Sequence, residues 1–225
     1  MNKLKSDIVD MAAHDLKSPL TLISGYANRI VKNTPEDSLE RTNADKIVNS
    51  SNKMLSIINK LLNNSKYENQ ILNYEKLNIV DLINCTIKFY SDMAQNKKQK
   101  INFYYYSPEI FINVDKVSIC TVLDNLLTNA IKYSPTNSHI NINLEDNGVS
   151  VKISIKDSGD GFTEKEIENL FTKFFPFKNK PTQGENSTGL GLYIIYDMVK
   201  KNNGKIDLKS KIGNGSEFIL TFPKE

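Results

Sequence analysis

Asn125, Asn129 and Lys132 stand at i, i+4 and i+7 in the run DNLLTNAIKYSP, so on a helix they share one face. Two neutral amides and an ammonium on one face suit a divalent cation carrying a polyphosphate. The amide oxygens complete the shell of a hard cation that keeps some of its waters, and the lysine neutralises a phosphate oxygen. Taken alone, such a face is more often solvated polar surface. Two glycine-rich loops downstream reverse that balance. The first, Asp157, Ser158, Gly159, Asp160, Gly161, Phe162, follows the apolar run VKISIK, which puts a carboxylate at a strand end and glycines where backbone can approach a flat ligand. An Asp before glycines also makes a plain turn, so this loop by itself decides little. The second, Thr188, Gly189, Leu190, Gly191, Leu192, opens an amphipathic helix to Val199 whose N-terminus would aim backbone N–H groups at a phosphate. The roughly 25 residues between the loops include PFKNKPTQGENS, a turn-rich composition that fits a lid.

A third element lies near the start of the chain. His14 is one of two histidines, and an unperturbed imidazole with a pKa near 6.5 presents a neutral, nucleophilic nitrogen at cellular pH. Ala12 and Ala13 before it leave the ring accessible, and Pro19 after it removes one helix hydrogen bond beside it. A lone helical histidine is more often inert, and His139, at the start of a strand, has no such surroundings. Ser18 sits one turn from His14 on the same face.

In this order, HDLKSP, the Asn125 and Asn129 run and the two glycine loops resemble the sensor histidine kinases of two-component signalling, from about Ser6 to Pro223. The resemblance implies a HisKA-type dimerisation and phosphoacceptor domain and a Bergerat-type ATP-binding fold, shared with gyrase and related ATPases. It implies ATP and Mg2+ as cofactors, with Asn125 and Asn129 on the metal. Lys132, Tyr133, Gly159, Gly161, Thr188, Gly189, Leu190, Gly191 and Leu192 complete the nucleotide site, and Asp157 meets the adenine amine. Phe171, Phe174 and Phe175 resemble the phenylalanine box of the family. Asp15 takes, by resemblance alone, the role of orienting His14 and accepting its proton, because neighbouring residues on a helix do not face each other. Ser18 stands where members with phosphatase activity have threonine or asparagine placing a water. The chain departs from the family at Ser187, commonly glycine, and at Pro176, commonly a basic residue that reaches the γ-phosphate, which leaves Lys173 or Lys178 as substitutes.

Related hydrolases carry a glutamate at the position of Asn125. An amide cannot serve as that general base, so ATP should wait for a better nucleophile, and His14 is the candidate. The implied activity is autophosphorylation of His14 and transfer to an aspartate on a response-regulator receiver domain. Two other readings stay open: a degenerate ATP-binding dimer that docks partners without labelling a histidine, and a serine kinase of the same ATP-binding superfamily, which generally lacks the helical hairpin.

Positioning these groups takes two differently punctuated halves. Gly25 is the only glycine before Gly148, and the other nine of the ten lie from Gly148 onward. Leu4, Ile8, Met11, Leu20, Ile23, Ala27 and Ile30 predict one long helix, and Ile47, Met54, Ile58 and Leu61, with Val48, Leu55 and Leu62, predict a second ending near Lys66, with a loop at Pro35 between them. Such a hairpin (1–70) buries poorly alone and predicts a homodimeric four-helix bundle in which Leu55 and Ile58 are largely buried. From 73 to 225 the pattern is mixed. KINFYYYS, IFINVD, HININ, SVKISIKD, GKIDLKS and SEFILTFP read as strands of one sheet, and helices at about 79–95, 115–133, 163–170 and 189–202 cover it, giving an α plus α/β fold class with an α/β sandwich.

The bulk numbers exclude little. At 225 residues and 39% hydrophobic the chain can build two cores, and a net charge of +3 is too small and too dispersed to argue for a nucleic acid or direct membrane partner, so neither is expected. Cys85 and Cys120, without metal-ligand spacing, read as reduced core thiols. No apolar run spans a membrane, so the chain reads as cytoplasmic, either a soluble kinase or the cytoplasmic portion of a membrane-bound sensor whose upstream part precedes it.

Overall fold

The structure is a computed structural model. It describes residues 2–68, 72–172, 175, 177, 182 and 191–224, and in the first two helices it describes the side chains of 16–52, 54, 55 and 58. The chain divides into two compact units, Met1–Ile71 and Leu72–Glu225.

The first unit is a helical hairpin, α1 (Asn2–Asn33) and α2 (Leu39–Glu68). Pro19 lies inside α1 without ending it. Ser38 starts the return helix: its hydroxyl accepts the Arg41 N–H at 3.1 Å, and Arg41 Nη1 reaches back to the Thr34 carbonyl at 3.3 Å. The helices meet over small side chains. Ser24, Ala27, Ala44 and Ser51 are buried with Ile58, while Leu22, Ile23, Tyr26, Ile30, Ile47 and Met54 are exposed. Of the described residues of the apolar stripes read from the sequence, Ile23, Ile30, Ile47 and Met54 are exposed in one chain, Leu20, Val48 and Leu55 are half-buried, and Ala27 and Ile58 are buried. Ile58 is buried by its own hairpin and Leu55 is half-buried.

The second unit contains β1 (Tyr74–Asn78), α3 (Ile79–Asn96), β2 (Lys100–Tyr104), β3 (Phe111–Asp115), α4 (Lys116–Tyr133), β4 (His139–Asp146), β5 (Ser150–Lys156), α5 (Glu164–Glu168), α6 (Gly191–Lys201), β6 (Lys205–Ser210) and β7 (Ser216–Pro223). The main sheet has the order β2-β4-β5-β7-β6, parallel only between β2 and β4. IFINVD does not join it: β3 pairs antiparallel with β1, Tyr74 opposite Asp115, in a separate two-stranded sheet. The single predicted sheet is therefore two, since YEKLN, exposed at Tyr74, Glu75 and Lys76, carries almost no alternation to mark β1 as a strand. Every other predicted strand and helix is present, with ends shifted by a few residues.

Alternation builds the core of this unit. Ile140, Ile142 and Leu144 on β4, Val151, Ile153 and Ile155 on β5, and Phe218, Leu220 and Phe222 on β7 are buried with Ile119, Val122, Leu126 and Ile131 of α4 and Ile195 and Val199 of α6. Neither cysteine is in a disulfide, and neither is fully buried: Cys85 is exposed and Cys120 half-buried, because they lie beside rather than on the apolar faces of α3 and α4. Burial pushes the Cys120 thiol up, and Asp124 adds to the effect.

Candidate functional site

Helix α4 is fixed at its start by Asp115. That carboxylate accepts the Ser118 N–H at 2.8 Å and the Ser118 hydroxyl at 2.7 Å on one oxygen, and the Asn73 N–H at 2.9 Å on the other. Desolvation pushes Asp115 up, but these bonds outweigh it and hold the group below its ordinary value. With the apolar side of α4 turned inward, the opposite side carries Asn125, Asn129, Lys132 and Tyr133, all half-buried. Asn125 Nδ2 donates to the Thr121 carbonyl at 2.8 Å, which leaves Oδ1 facing the start of α6. There, a Cβ added to Gly191 would stand 3.4 Å from that Oδ1, so the α4 amide and the described part of the second glycine loop are immediate neighbours.

The first glycine loop closes against the other end of α4. Asp157 follows β5, and its Oδ1 accepts the Gly159 N–H at 2.8 Å and the Ser216 N–H at 3.2 Å. Its backbone N–H goes to the Ser216 carbonyl at 2.8 Å, and the Ser158 N–H goes to Ser134 Oγ at 3.1 Å, just past α4. Gly159 has the Tyr133 carbonyl oxygen 3.0 Å from where a Cβ would be. Gly161, at φ +72°, must be glycine on two counts, since a Cβ would also overlap the Lys211 carbonyl of the β6–β7 turn. Burial pushes the Asp157 carboxyl up to about 6, against the pull of its two backbone bonds.

Phe171 stacks on Tyr196 of α6 with ring centroids 4.8 Å apart, and Phe175 continues through Phe177 and Phe162 to Phe218 of β7. Phe174, Lys173, Pro176, Lys178, Ser187, Thr188, Gly189 and Leu190 lie outside the described residues. Leu192 follows Gly191 in the first turn of α6 and is half-buried. His14 and Asp15 lie on α1, their side chains outside those described, and Ser18 is exposed on the same helix. The structure thus sets Gly191 beside Asn125, and Gly159 beside Asp157 and the Tyr133 carbonyl further along α4, while His14 belongs to the first unit. Ser134 and Ser216, which pin the Asp157 loop, were missed in the sequence; isolated serines at strand and helix ends carry no pattern that separates them from ordinary turn residues.

Residues 4–70 match the His Kinase A (phospho-acceptor) domain, and residues 114–225 match the histidine kinase-, DNA gyrase B-, and HSP90-like ATPase domain. The chain belongs to the sensor histidine kinases. This kinase is 28% identical to the sensor protein SrrB of Staphylococcus aureus over 228 residues, an alignment that takes in all of the chain and 39% of that protein. Among solved structures, histidine kinase ThkA in complex with the response regulator TrrA matches with a TM-score of 0.71 at 25% identity, over 97% of this chain and 61% of that one. Full-length ShkA in complex with AMPPNP matches in fold, with a TM-score of 0.75 at 23% identity over 96% of this chain and 45% of that one. The kinase therefore spans about two fifths of the SrrB length. Among the described residues, no helix is long and apolar enough to cross a membrane.

Proposed function

We propose that this chain is the cytoplasmic catalytic core of a homodimeric sensor kinase that uses ATP to phosphorylate His14 and passes the phosphoryl group to an aspartate of a response-regulator receiver domain. The observation that carries this reading is that α4 has the Asp157 loop against its C-terminal end and Gly191 of the second glycine loop against Asn125. Asp157 has both backbone bonds on Oδ1, so Oδ2 keeps its lone pairs for the adenine amine. Asn125 has its amide turned so that Oδ1 faces Gly191. That oriented, half-buried amide oxygen fits a hard cation, and Asn125 and Asn129 would hold Mg2+, which neutralises triphosphate charge when bound.

No carboxylate stands at Asn125 to activate water, so hydrolysis has no base there and the nucleophile is the His14 imidazole. In the transfer a nitrogen–phosphorus bond forms at His14, the bond between γ-phosphorus and the bridging oxygen breaks with ADP leaving, and Asp15 receives the imidazole proton. Lys132 and the N–H groups at the start of α6 would take the phosphates. The exposed apolar side chains of the hairpin support pairing with a second chain. Ser18, exposed one turn from His14, would place a water against a phosphorylated regulator, giving phosphatase activity.

The test is incubation of the chain with γ-labelled ATP. Label that is lost in acid and kept in base identifies a phosphoramidate, whereas acid-stable label identifies phosphoserine and overturns the reading.

A further inference from the structure

Lys97 follows α3 in the run NKKQK, where Lys98 and Lys100 are exposed but Lys97 is only 2% exposed. Its Nζ donates to the Ile131 carbonyl at 2.8 Å, the Lys132 carbonyl at 3.0 Å and Thr182 Oγ1 at 2.6 Å. Ile131 and Lys132 lie in the last turn of α4, whose carbonyls lack intrahelical partners, and a cation there also meets the negative end of the helix dipole. Gln99 adds to the same cap, its Nε2 donating to the carbonyls of Ile131 at 3.1 Å and Ser134 at 3.0 Å. Thr182 belongs to the stretch between the two glycine loops. Its backbone N–H and its hydroxyl both donate to the Lys132 carbonyl, at 3.1 and 3.0 Å.

A buried ammonium is costly unless fully paired, and carbonyls at a helix end can be satisfied by neutral donors or water. What an ammonium adds is a third donor. Two of its bonds hold the end of α4 while another holds Thr182, 85 residues away in sequence. We propose that Lys97 is a positioning residue for the nucleotide site: it docks the chain at Thr182 onto the end of α4 and so presents Asn129 and Lys132 to the triphosphate in one geometry. This inference rests on reading the polar face of α4 as the phosphate side of that site.

Two variants of the full chain test it. Lys97→Met keeps side-chain length and removes the charge and donors. Thr182→Val removes only the exposed hydroxyl, so folding is not at stake if the first variant proves unstable. Each should raise the KM for ATP about fivefold or more while leaving the phosphorylation rate at saturating ATP unchanged, and the double variant should be no worse than Lys97→Met alone. In nucleotide-free protein, the backbone amide of residue 182 should exchange faster with solvent in both variants than in the parent. Unchanged KM in Thr182→Val, or unchanged exchange at residue 182, overturns the proposal. A parent chain that binds no ATP overturns the nucleotide reading instead, while the exchange measurement, which needs no nucleotide, still decides whether Lys97 holds Thr182.

Discussion

The two units solve the burial problem in opposite ways. In the sandwich, strands β4, β5 and β7 and helices α4 and α6 supply a run of branched aliphatic side chains with almost no exposure. In the hairpin, the described buried apolar side chains are Ala27, Ala44 and Ile58, while Leu39 is 71% exposed, Tyr26 64%, Leu22 59% and Met54 53%. Among the described residues, the hairpin spends its contact face largely on alanine and serine and leaves these large apolar side chains exposed, which suits a unit completed by a second copy. The difference assigns each unit its kind of job. In the proposed reading the sandwich holds the nucleotide with its own core, whereas the hairpin would be completed by a second copy.

The largest effect should come from the residue that separates the two jobs. His14→Gln should abolish autophosphorylation, a loss of at least about a thousandfold for removing the nucleophile, with ATP affinity nearly intact. Acid-labile label persisting in this variant would put the phosphoacceptor elsewhere. Next is the hairpin seam. Ile47 and Met54 lie seven residues apart on α2 and both are exposed in one chain. Changing both to aspartate places charge in the proposed bundle at about 3–5 kcal/mol each, enough to dissociate the dimer. Leu55 and Ile58, the pair expected from the sequence to be buried in the bundle, are poorer probes, because Ile58 is already buried by its own hairpin and its loss would damage the single chain. Light scattering of Ile47→Asp/Met54→Asp should show a monomer that still binds ATP, and an intact dimer refutes the seam.

Where the sequence was informative and where it was silent follows from the same contrast. Period-two alternation in Ile140, Ile142, Leu144 and in Val151, Ile153, Ile155 is a property of neighbours in the chain, so β4 and β5 were legible. The short β1 was not, because its pairing with β3 is enforced from outside: Asn73 N–H to Asp115, and Tyr74 Oη to the Lys201 carbonyl at 2.5 Å. In the hairpin, periodicity gave the helices but not which stripe faces the partner helix, since alanine and serine carry little hydrophobic signal and Leu and Ile attract the assignment. At the site, the side chains that touch a ligand have typed spacing, but those that hold the loops do not. Lys97 is indistinguishable in sequence from Lys98 and Lys100.

The sandwich predicts a sharper contrast within itself. Gly161 and Gly213 both have positive φ, +72° and +78°, but only Gly161 has backbone where a Cβ would go, whereas Gly213 has nothing within 4 Å. Gly213→Ala should cost about 1 kcal/mol, the left-handed penalty alone, and Gly161→Ala about 2–4 kcal/mol, because the Lys211 carbonyl must also move. Thermal unfolding of the two variants reads the difference directly. Equal losses would mean that the first glycine loop is not held against the β6–β7 turn.

The smallest effect concerns Asp157, where binding and stability should pull in opposite directions. Its folded pKa of about 6 lies above the 3.8 of an ordinary aspartate. The ligand-free fold therefore holds the proton more tightly than the unfolded chain does, and the group's contribution to stability is present below pH 4 and is lost as pH rises from about 4 to 6. At pH 7.5 the carboxylate is ionised and half-buried, at a cost of about 1–2 kcal/mol after allowing for its partial exposure. Asp157→Asn should remove that cost, so the ligand-free variant should be more stable than the parent at pH 7.5, with the advantage shrinking toward pH 4. The same variant should bind ATP about 1–3 kcal/mol more weakly, since an amide offers the adenine amine a donor in place of an acceptor. Parent affinity should also fall about tenfold between pH 7.5 and 5 as the carboxylate takes up its proton, with a shallower slope in Asp157→Asn. Calorimetric titration and melting across that range decide the point. A variant that loses stability and keeps ATP affinity would make Asp157 a structural turn residue, and the sandwich would need another adenine contact.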